Sequence, residues 1–162
     1  MPIRVLITDD HQIVLDSLSL LISTIPDMEV VGTLNDSRKV LAYLDINEVD
    51  ILVTDLSMPY LTGVDLTLQV RGQFPTLKIL MLTVSEDADT IRKAFQAGIS
   101  GYVMKKANRA ELERALKTVA SGEKYFSEAV MKELLSPASL AAAPVDELPG
   151  EPIAVTAREL EI

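Results

Sequence analysis

One pattern repeats five times along the first 135 residues: a short apolar run of strand length is followed by an amphipathic segment of helical length. The runs are too short and too continuously apolar for strands with one face in water. Such alternation predicts an α/β fold, a doubly wound five-stranded parallel sheet with right-handed crossovers and helices on both faces. The predicted strands are Ile3–Thr8, Glu29–Thr33, Ile51–Thr54, Lys78–Leu82 and Gly101–Met104.

Polar residues and glycines mark the helix boundaries between these strands. Polar residues that favour the first turn of a helix are Asp36, Glu86 and Asn108. Glycines that favour the end of a helix are Gly72, Gly98 and Gly122. These positions predict where the crossover helices begin and end.

Three aspartates lie where apolar runs end. Asp9 and Asp10 follow the first run, and Asp55 closes the third. The carboxyl ends of parallel strands share one sheet edge, where open α/β folds build their sites. Three carboxylates there repel one another unless a divalent cation neutralises them, and oxygen ligands suit Mg²⁺. We therefore predict a magnesium site, with the only histidine, His11, at the surface rather than among the ligands.

Composition limits the remaining possibilities. With 162 residues and 48% hydrophobic side chains, the chain can bury one substantial core, and we expect one domain with an appendage. The formal net charge of −9 argues against direct binding to nucleic acid, which requires clustered Lys and Arg. The absence of cysteine, of a signal-peptide pattern and of a membrane span predicts a cytoplasmic protein with no membrane partner.

The chain changes character after residue 122. Residues 123–135 are predicted to add a helix, and residues 136–155, with four prolines, to form a flexible acidic Pro/Ala linker. Thr156-Ala157-Arg158-Glu159 has the form of a capping box, which marks the start of a helix, yet only three residues follow. We expect this element to continue in a longer protein; a frayed polar tail is the alternative.

Taken together, these residues resemble a known family. The matching positions are Asp9-Asp10, Asp55 within Asp55-Leu56-Ser57-Met58-Pro59, Gly63, Thr83 and Gly101-Tyr102-Val103-Met104-Lys105. They are similar in order and spacing to the receiver domain of bacterial two-component response regulators, which would occupy residues 1–122. Asp-Asp-His at 9–11 and Thr-Ala-Arg-Glu-Leu-Glu at 156–161 resemble the NarL/FixJ subgroup. The resemblance implies a flavodoxin-like sheet of order 2-1-3-4-5, and it makes residues 156–162 the truncated start of a LuxR-type helix-turn-helix output domain.

The resemblance also implies a phosphoacceptor chemistry. Asp55 would take a phosphoryl group from a sensor histidine kinase. Asp9, Asp10, Asp55 and the backbone carbonyl of Ser57 would hold Mg²⁺, for which Mn²⁺ can substitute. The protein would promote only its own magnesium-dependent phosphorylation and dephosphorylation, so it would not be an enzyme in the usual sense.

Further positions acquire roles from the same resemblance. Lys105 and Thr83 would contact phosphoryl oxygens, and Tyr102 would act as an aromatic switch, with simple packing as the alternative. Ser57 and Ser85 would tune hydrolysis of the acyl phosphate. The output would be DNA binding and transcription regulation through the missing domain, with phosphorylation-linked homodimerisation as a possible partner interaction.

The helix predicted after Asp10 suggests a partner surface. At helical spacing, one wide apolar stripe is formed by Val14, Leu15, Leu18, Leu21, Ile22 and Ile25. Ile13 and Leu20 fall on the opposite side and are predicted to be exposed. The family resemblance places kinase docking on this helix, although isolated exposed apolar residues are also common without a partner.

Two other function classes fit some of these residues. An aspartyl phosphatase usually has a second Asp two residues after its nucleophile, whereas Asp9 is followed by Asp10 and then His11. A phosphorylation-independent receiver-like dimerisation or docking module typically lacks the lysine, the acid pair or the acceptor. This chain keeps all of them, so a phosphorylated receiver is the favoured interpretation.

Overall fold

The computed structural model describes residues 2–84, 88–127 and 130–132. Its strands are β1 (Ile3–Thr8), β2 (Met28–Leu34), β3 (Ile51–Asp55), β4 (Lys78–Thr83), β5 (Gly101–Met104) and β6 (Tyr125–Phe126). All neighbouring strands are parallel, in the order β2-β1-β3-β4-β5-β6. The predicted α/β class and the order of the first five strands are therefore confirmed.

Helices cover both faces of this sheet. They are α1 (Gln12–Ser23), a 3₁₀ helix (Ser37–Lys39), α2 (Val40–Ile46), α3 (Gly63–Gln73), α4 (Ala88–Ala97) and α5 (Arg109–Ala120). Successive strand residues point to opposite faces. Leu52 therefore joins the buried cluster that includes Leu66 of α3, while Val53 joins the cluster that includes Leu15 of α1. The apolar residues on both faces explain why each strand reads as a continuous apolar run.

The sixth strand was not expected. Gly122, with φ of +95°, ends α5 and turns the chain back toward β5. The N–H of Tyr125 donates to the carbonyl of Ser100, and that of Ser127 donates to the carbonyl of Tyr102. The helix predicted over residues 123–135 is thus wrong at its start, because this segment pairs with β5 and with Ser100 just before it. Residues 130–132 are helical, and residues 128–129 and 133–162, including the predicted linker and output segment, lie outside the described residues.

The predicted helix boundaries can be compared with the structure. Side chains of Asp36 and Asn108 accept hydrogen bonds from the N–H groups of Arg38 and Glu111, as caps do. Gly98 directly follows α4 and Gly122 lies two residues after α5, and both have a positive φ. The prediction that Gly72 ends a helix is wrong by one residue, since α3 continues to Gln73; Glu86 lies outside the described residues.

No helix in residues 2–84, 88–127 and 130–132 is long and apolar enough to cross a membrane. The longest of these helices has 12 residues, and a span needs about 20.

Gly63 allows α3 to begin directly against the end of β3. Its N–H donates to the carbonyl of Leu56 at 2.8 Å. A Cβ at this position would overlap the carbonyl oxygen of Asp55 and lie 2.9 Å from Cα of Leu56. Because backbone atoms cannot move aside as a flexible side chain can, the missing side chain at Gly63 fixes where the β3 end lies.

We predict that Gly63→Ala lowers the free energy of unfolding by about 2 kcal/mol, because the added methyl group overpacks the β3–α3 junction. Gly72→Ala in the same helix is the matched control, since a Cβ there meets nothing within 4 Å. Removing a glycine from a helix interior stabilises by roughly 0.5–1 kcal/mol. Urea unfolding followed by circular dichroism measures both values, and equal effects of the two substitutions would contradict the close approach.

Candidate functional site

The sheet brings the three predicted aspartates together. Asp9 and Asp10 follow β1, and Asp55 is the last residue of β3. Strands β1 and β3 are neighbours, with Thr8 opposite Thr54, so both ends reach the same edge. One ligand atom from each of Asp9, Asp10, His11 and Asp55 lies within 4.8 Å of all the others. We call these four residues the acidic cluster.

Lys105 places a positive charge inside the acidic cluster. It follows β5, and its backbone N–H donates to the carbonyl of Thr83 at 2.7 Å. Its ammonium Nζ lies 3.0 Å from Oδ2 of Asp9 and 3.2 Å from Oδ2 of Asp55. These two carboxylate side chains are only 2% and 6% exposed. The ammonium therefore spans the two most buried charges of the site.

Burial and neighbouring charges act against each other here. Burial and the charge of Asp9 raise the pKa of Asp55, and the nearby Lys105 only partly opposes that rise. Burial alone would lower the pKa of Lys105, but its hydrogen bond to Asp9 and the charge of Asp55 raise it overall. The ionised Asp55 is thus under-compensated, and a cation beside it would favour the ionised form that a nucleophile requires.

The cluster fits a hard divalent cation. Oδ1 of Asp10 is buried and makes no hydrogen bond, although Nδ1 of His11 lies 3.2 Å from it. A buried carboxylate oxygen without a donor is costly unless a ligand satisfies it. Three carboxylates and one ammonium leave a charge of −2, which a divalent cation neutralises. The oxygen donors match the preference of Mg²⁺.

His11 is closer to the site than its sequence position indicated. Its side chain is 65% exposed, in agreement with the predicted surface location, but Nδ1 lies 3.2 Å from carboxylate oxygens of both Asp9 and Asp10. The N–H of His11 also donates to Oδ1 of Asp9 at 2.9 Å. Adjacency to the aspartate pair was the only sequence signal for this contact.

The other predicted site residues occupy different environments. Thr83 is buried at the end of β4, and Tyr102 is fully buried in β5, where it belongs to the core. Ser57 is exposed two residues beyond Asp55, and Ser85 lies outside the described residues.

Ile13 and Leu20 are 81% and 72% exposed, which confirms their predicted exposure. Docking on these two residues stays a prediction.

An open parallel sheet with buried aspartates and a lysine at its carboxyl edge defines a flavodoxin-like receiver domain. The family model described as "Response regulator receiver domain" matches residues 5–117. This chain belongs to the response regulator receiver family.

Curated relatives carry longer chains. The transcriptional regulatory protein MctR of Rhizobium johnstonii is 32% identical over 133 residues, which cover 82% of this chain and 62% of that protein. The response regulator protein VraR of Staphylococcus aureus is 31% identical over 134 residues, which cover 83% of this chain and 64% of that protein. The chain therefore spans less than two thirds of the length of these relatives.

Solved structures give the same family. The isolated receiver domain of RcsB from Salmonella enterica serovar Typhimurium, determined with the phosphomimetic BeF₃⁻, matches with a TM-score of 0.76 and 31% identity, covering 82% of this chain and 99% of that one. A LuxR-family two-component response regulator from an Aurantimonas species matches with a TM-score of 0.79 and 30% identity, covering 83% and 96%.

We predict that Lys105→Met tightens Mg²⁺ binding about tenfold, because the substitution removes a positive charge that the incoming cation must approach. Calorimetric titration of the metal-free protein with Mg²⁺ at neutral pH measures the affinity. Lys78→Met is the matched control, since Lys78 begins β4 at the opposite edge of the sheet. Equal affinities for the two variants would show that the Lys105 ammonium does not compete with the metal.

Proposed function

We propose that this chain accepts a phosphoryl group on Asp55 from a sensor histidine kinase and thereby controls an attached output domain. The observation that carries the proposal is the position of Asp55: a nearly buried carboxylate at the carboxyl edge, flanked by Asp9 and Lys105. Catalysis of phosphoryl transfer is mainly positioning and charge stabilisation, and Lys105 places a positive charge beside this carboxylate.

In the proposed step, a carboxylate oxygen of Asp55 attacks the phosphorus of a phosphohistidine. An O–P bond forms and the P–N bond breaks, and the electron pair returns to the imidazole nitrogen, which gains a proton. The product on Asp55 is an acyl phosphate. Asp9, Asp10, Asp55 and the carbonyl of Ser57 would hold Mg²⁺, or Mn²⁺ in its place. The bound cation would supply positive charge for the phosphoryl oxygens.

Lys105 and Thr83 then distinguish the modified state from the unmodified one. Oδ2 of Asp55 pairs with Lys105 in the structure. After transfer, the ammonium would pair with a phosphoryl oxygen, and the Thr83 hydroxyl would donate to another. A ligand shifts a conformational equilibrium only through contacts that differ between the states. These two contacts would favour the active conformation, with the buried Tyr102 ring held inward as the aromatic switch.

The lifetime of the acyl phosphate would depend on Ser57 and Ser85, which lie two residues after Asp55 and Thr83. The protein would thus be both the substrate and the catalyst of its own modification, without turnover of an external substrate.

The proposed output is transcription regulation. MctR is named as a transcriptional regulatory protein, and RcsB has been solved as dimers bound to DNA. By analogy, residues 156–162 would begin a LuxR-type helix-turn-helix domain in a longer protein, and phosphorylation would promote homodimerisation. The described residues carry no such DNA-binding element, so DNA contact would come only through that domain.

Kinase docking is proposed for the exposed side of α1. Ile13 and Leu20 are large apolar side chains that contribute little to the core at 81% and 72% exposure. Ile13 also lines a groove of about 300 Å³ together with Val14, Leu18, Leu112 and Lys105, and the last of these belongs to the site. A partner helix that contacts this groove would lie next to the acidic cluster.

The acceptor is tested by incubation with acetyl phosphate and Mg²⁺ followed by intact mass measurement. We predict a single phosphoryl adduct on the wild-type chain and none on Asp55→Asn, which lacks the nucleophilic oxygen. A chelator is predicted to abolish the adduct because the carboxylates then repel the donor. Asp65→Asn, at an exposed position of α3, is the matched control and keeps the adduct. An adduct on Asp55→Asn would disprove the assignment, and a chain modified under no condition would favour a phosphorylation-independent docking module.

For docking, we predict that Ile13→Ser combined with Leu20→Ser slows transfer from the sensor kinase of the same system about tenfold, as loss of two central apolar contacts does at other interfaces. Modification by acetyl phosphate, which needs no docking, is expected to keep its rate. Leu68→Ser is the control, because Leu68 is an apolar residue of α3 that is 56% exposed. An unchanged rate of transfer from the kinase would place docking elsewhere.

A further inference from the structure

Two loops beside the acidic cluster hold each other in place. The loop after β2 contains the 3₁₀ helix with Ser37 and Arg38; the loop after β3 contains Tyr60 and Leu61. Ser37 is 2% exposed, and its hydroxyl donates to the carbonyl of Leu61 at 2.8 Å. The guanidinium carbon of Arg38 lies 3.8 Å from the centre of the Tyr60 ring. Adjacent residues of one loop therefore fix adjacent residues of the other.

Tyr60 adopts a conformation that packing does not explain. Its φ is +71°, which is rare for a residue with a side chain. The N–H of Leu61 donates to the carbonyl of Pro59 at 2.7 Å across it, so the three residues form a strained γ-turn. The ring is 77% exposed and buries little apolar surface. Strain of this kind collects at functional sites, and here it brings the ring against Arg38.

The guanidinium of Arg38 is held in one orientation, but not all of its N–H donors are used. Its Nε and Nη2 donate to the two carboxylate oxygens of Asp36 at 3.0 and 2.8 Å. In the described part of the chain, Nη1 makes no hydrogen bond or ion pair. The clamp by Asp36 and the stack on Tyr60 pre-organise the guanidinium, which lowers the entropy lost when a ligand binds.

A cavity joins this guanidinium to the acidic cluster. It has a volume of about 290 Å³, and among the described residues its lining holds the carboxylates of Asp10 and Asp36 and a single cation, Arg38. A phosphoryl donor brings about two negative charges toward three carboxylates. Lys105 already lies between Asp9 and Asp55. Arg38 is thus the cation of the cavity wall with a donor still available.

We propose that Arg38 is a donor-binding residue, whose guanidinium receives the phosphoryl oxygens of the incoming donor at the mouth of the acidic cluster. A planar fork of N–H donors matches these oxygens. Asp36 and Tyr60 are positioning residues that hold the guanidinium. The inference rests on the proposed function, because it requires Asp55 to be the acceptor. The contact captures the donor before transfer, so it acts on the donor concentration needed rather than on the maximal rate.

The test is the initial rate of Asp55 phosphorylation, followed by intact mass over a series of acetyl phosphate concentrations at saturating Mg²⁺ and constant ionic strength. The series is repeated with phosphoramidate, which shares only the phosphoryl group. Arg38→Met is expected to raise the half-saturating concentration about tenfold for both donors and to keep the maximal rate. Arg38→Lys keeps the charge but loses the planar fork of N–H donors. Its half-saturating concentration is expected to lie between those of wild type and Arg38→Met. Arg114→Met removes the same charge from an exposed position of α5 and is expected to match wild type.

A second variant separates binding from folding. Tyr60→Gly removes the ring but relieves the positive φ, so the midpoint of urea unfolding is expected to stay equal or rise while the half-saturating concentration increases severalfold. A lower midpoint would assign the ring to packing and overturn its positioning role.

The outcomes distinguish the two proposals. Wild type modified at Asp55, with an unchanged half-saturating concentration for Arg38→Met, overturns the role of Arg38 and leaves the acceptor in place. An effect limited to acetyl phosphate, or a lower maximal rate with no change in half-saturation, likewise overturns it. Wild type modified by neither donor overturns both proposals.

Discussion

The ion pairs of Lys105 with Asp9 and Asp55 are the interaction on which the rest of the structure depends. Two carboxylates with 2% and 6% exposure could not both stay ionised at one sheet edge without a compensating cation. One ammonium serves both, while burial and the charge of Asp9 still raise the pKa of Asp55. The three carboxylates thus keep an excess of negative charge beside one ammonium, which is an arrangement that favours a divalent cation.

The backbone of the sheet fixes the positions of the charged residues in this site. Neighbouring strands β1 and β3 fix the spacing of the aspartates, and the backbone bond between Lys105 and Thr83 fixes the end of β5 relative to β4. Gly63 fixes the end of β3, because it lets α3 begin against the backbone carbonyl of Asp55. These supports are backbone contacts, so the positions of the site residues do not depend on the ion pairs that their side chains make.

The sequence predicted what depends on apolar periodicity and on strand ends. The five strands, the convergence of Asp9, Asp10 and Asp55, and the exposure of Ile13 and Leu20 all follow from local patterns. The strand at Tyr125–Phe126 was missed because two residues are too few to show an alternation of apolar and polar side chains. Only hydrogen bonds to residues distant in sequence define this strand. The Arg38–Tyr60 stack was missed for a similar reason: it joins two loops separated by 22 positions, and neither loop has a periodic signal.

The sixth strand also changes how the sheet meets its surroundings. Without β6, strand β5 would present a free row of backbone donors and acceptors, which is a template for edge-to-edge association between molecules. Tyr125 and Ser127 satisfy part of that row through the carbonyls of Ser100 and Tyr102. A strand of only two residues offers few unpaired groups in return. This border of the sheet is therefore a poor starting point for aggregation, so assembly on that side must rely on side chains rather than on strand pairing.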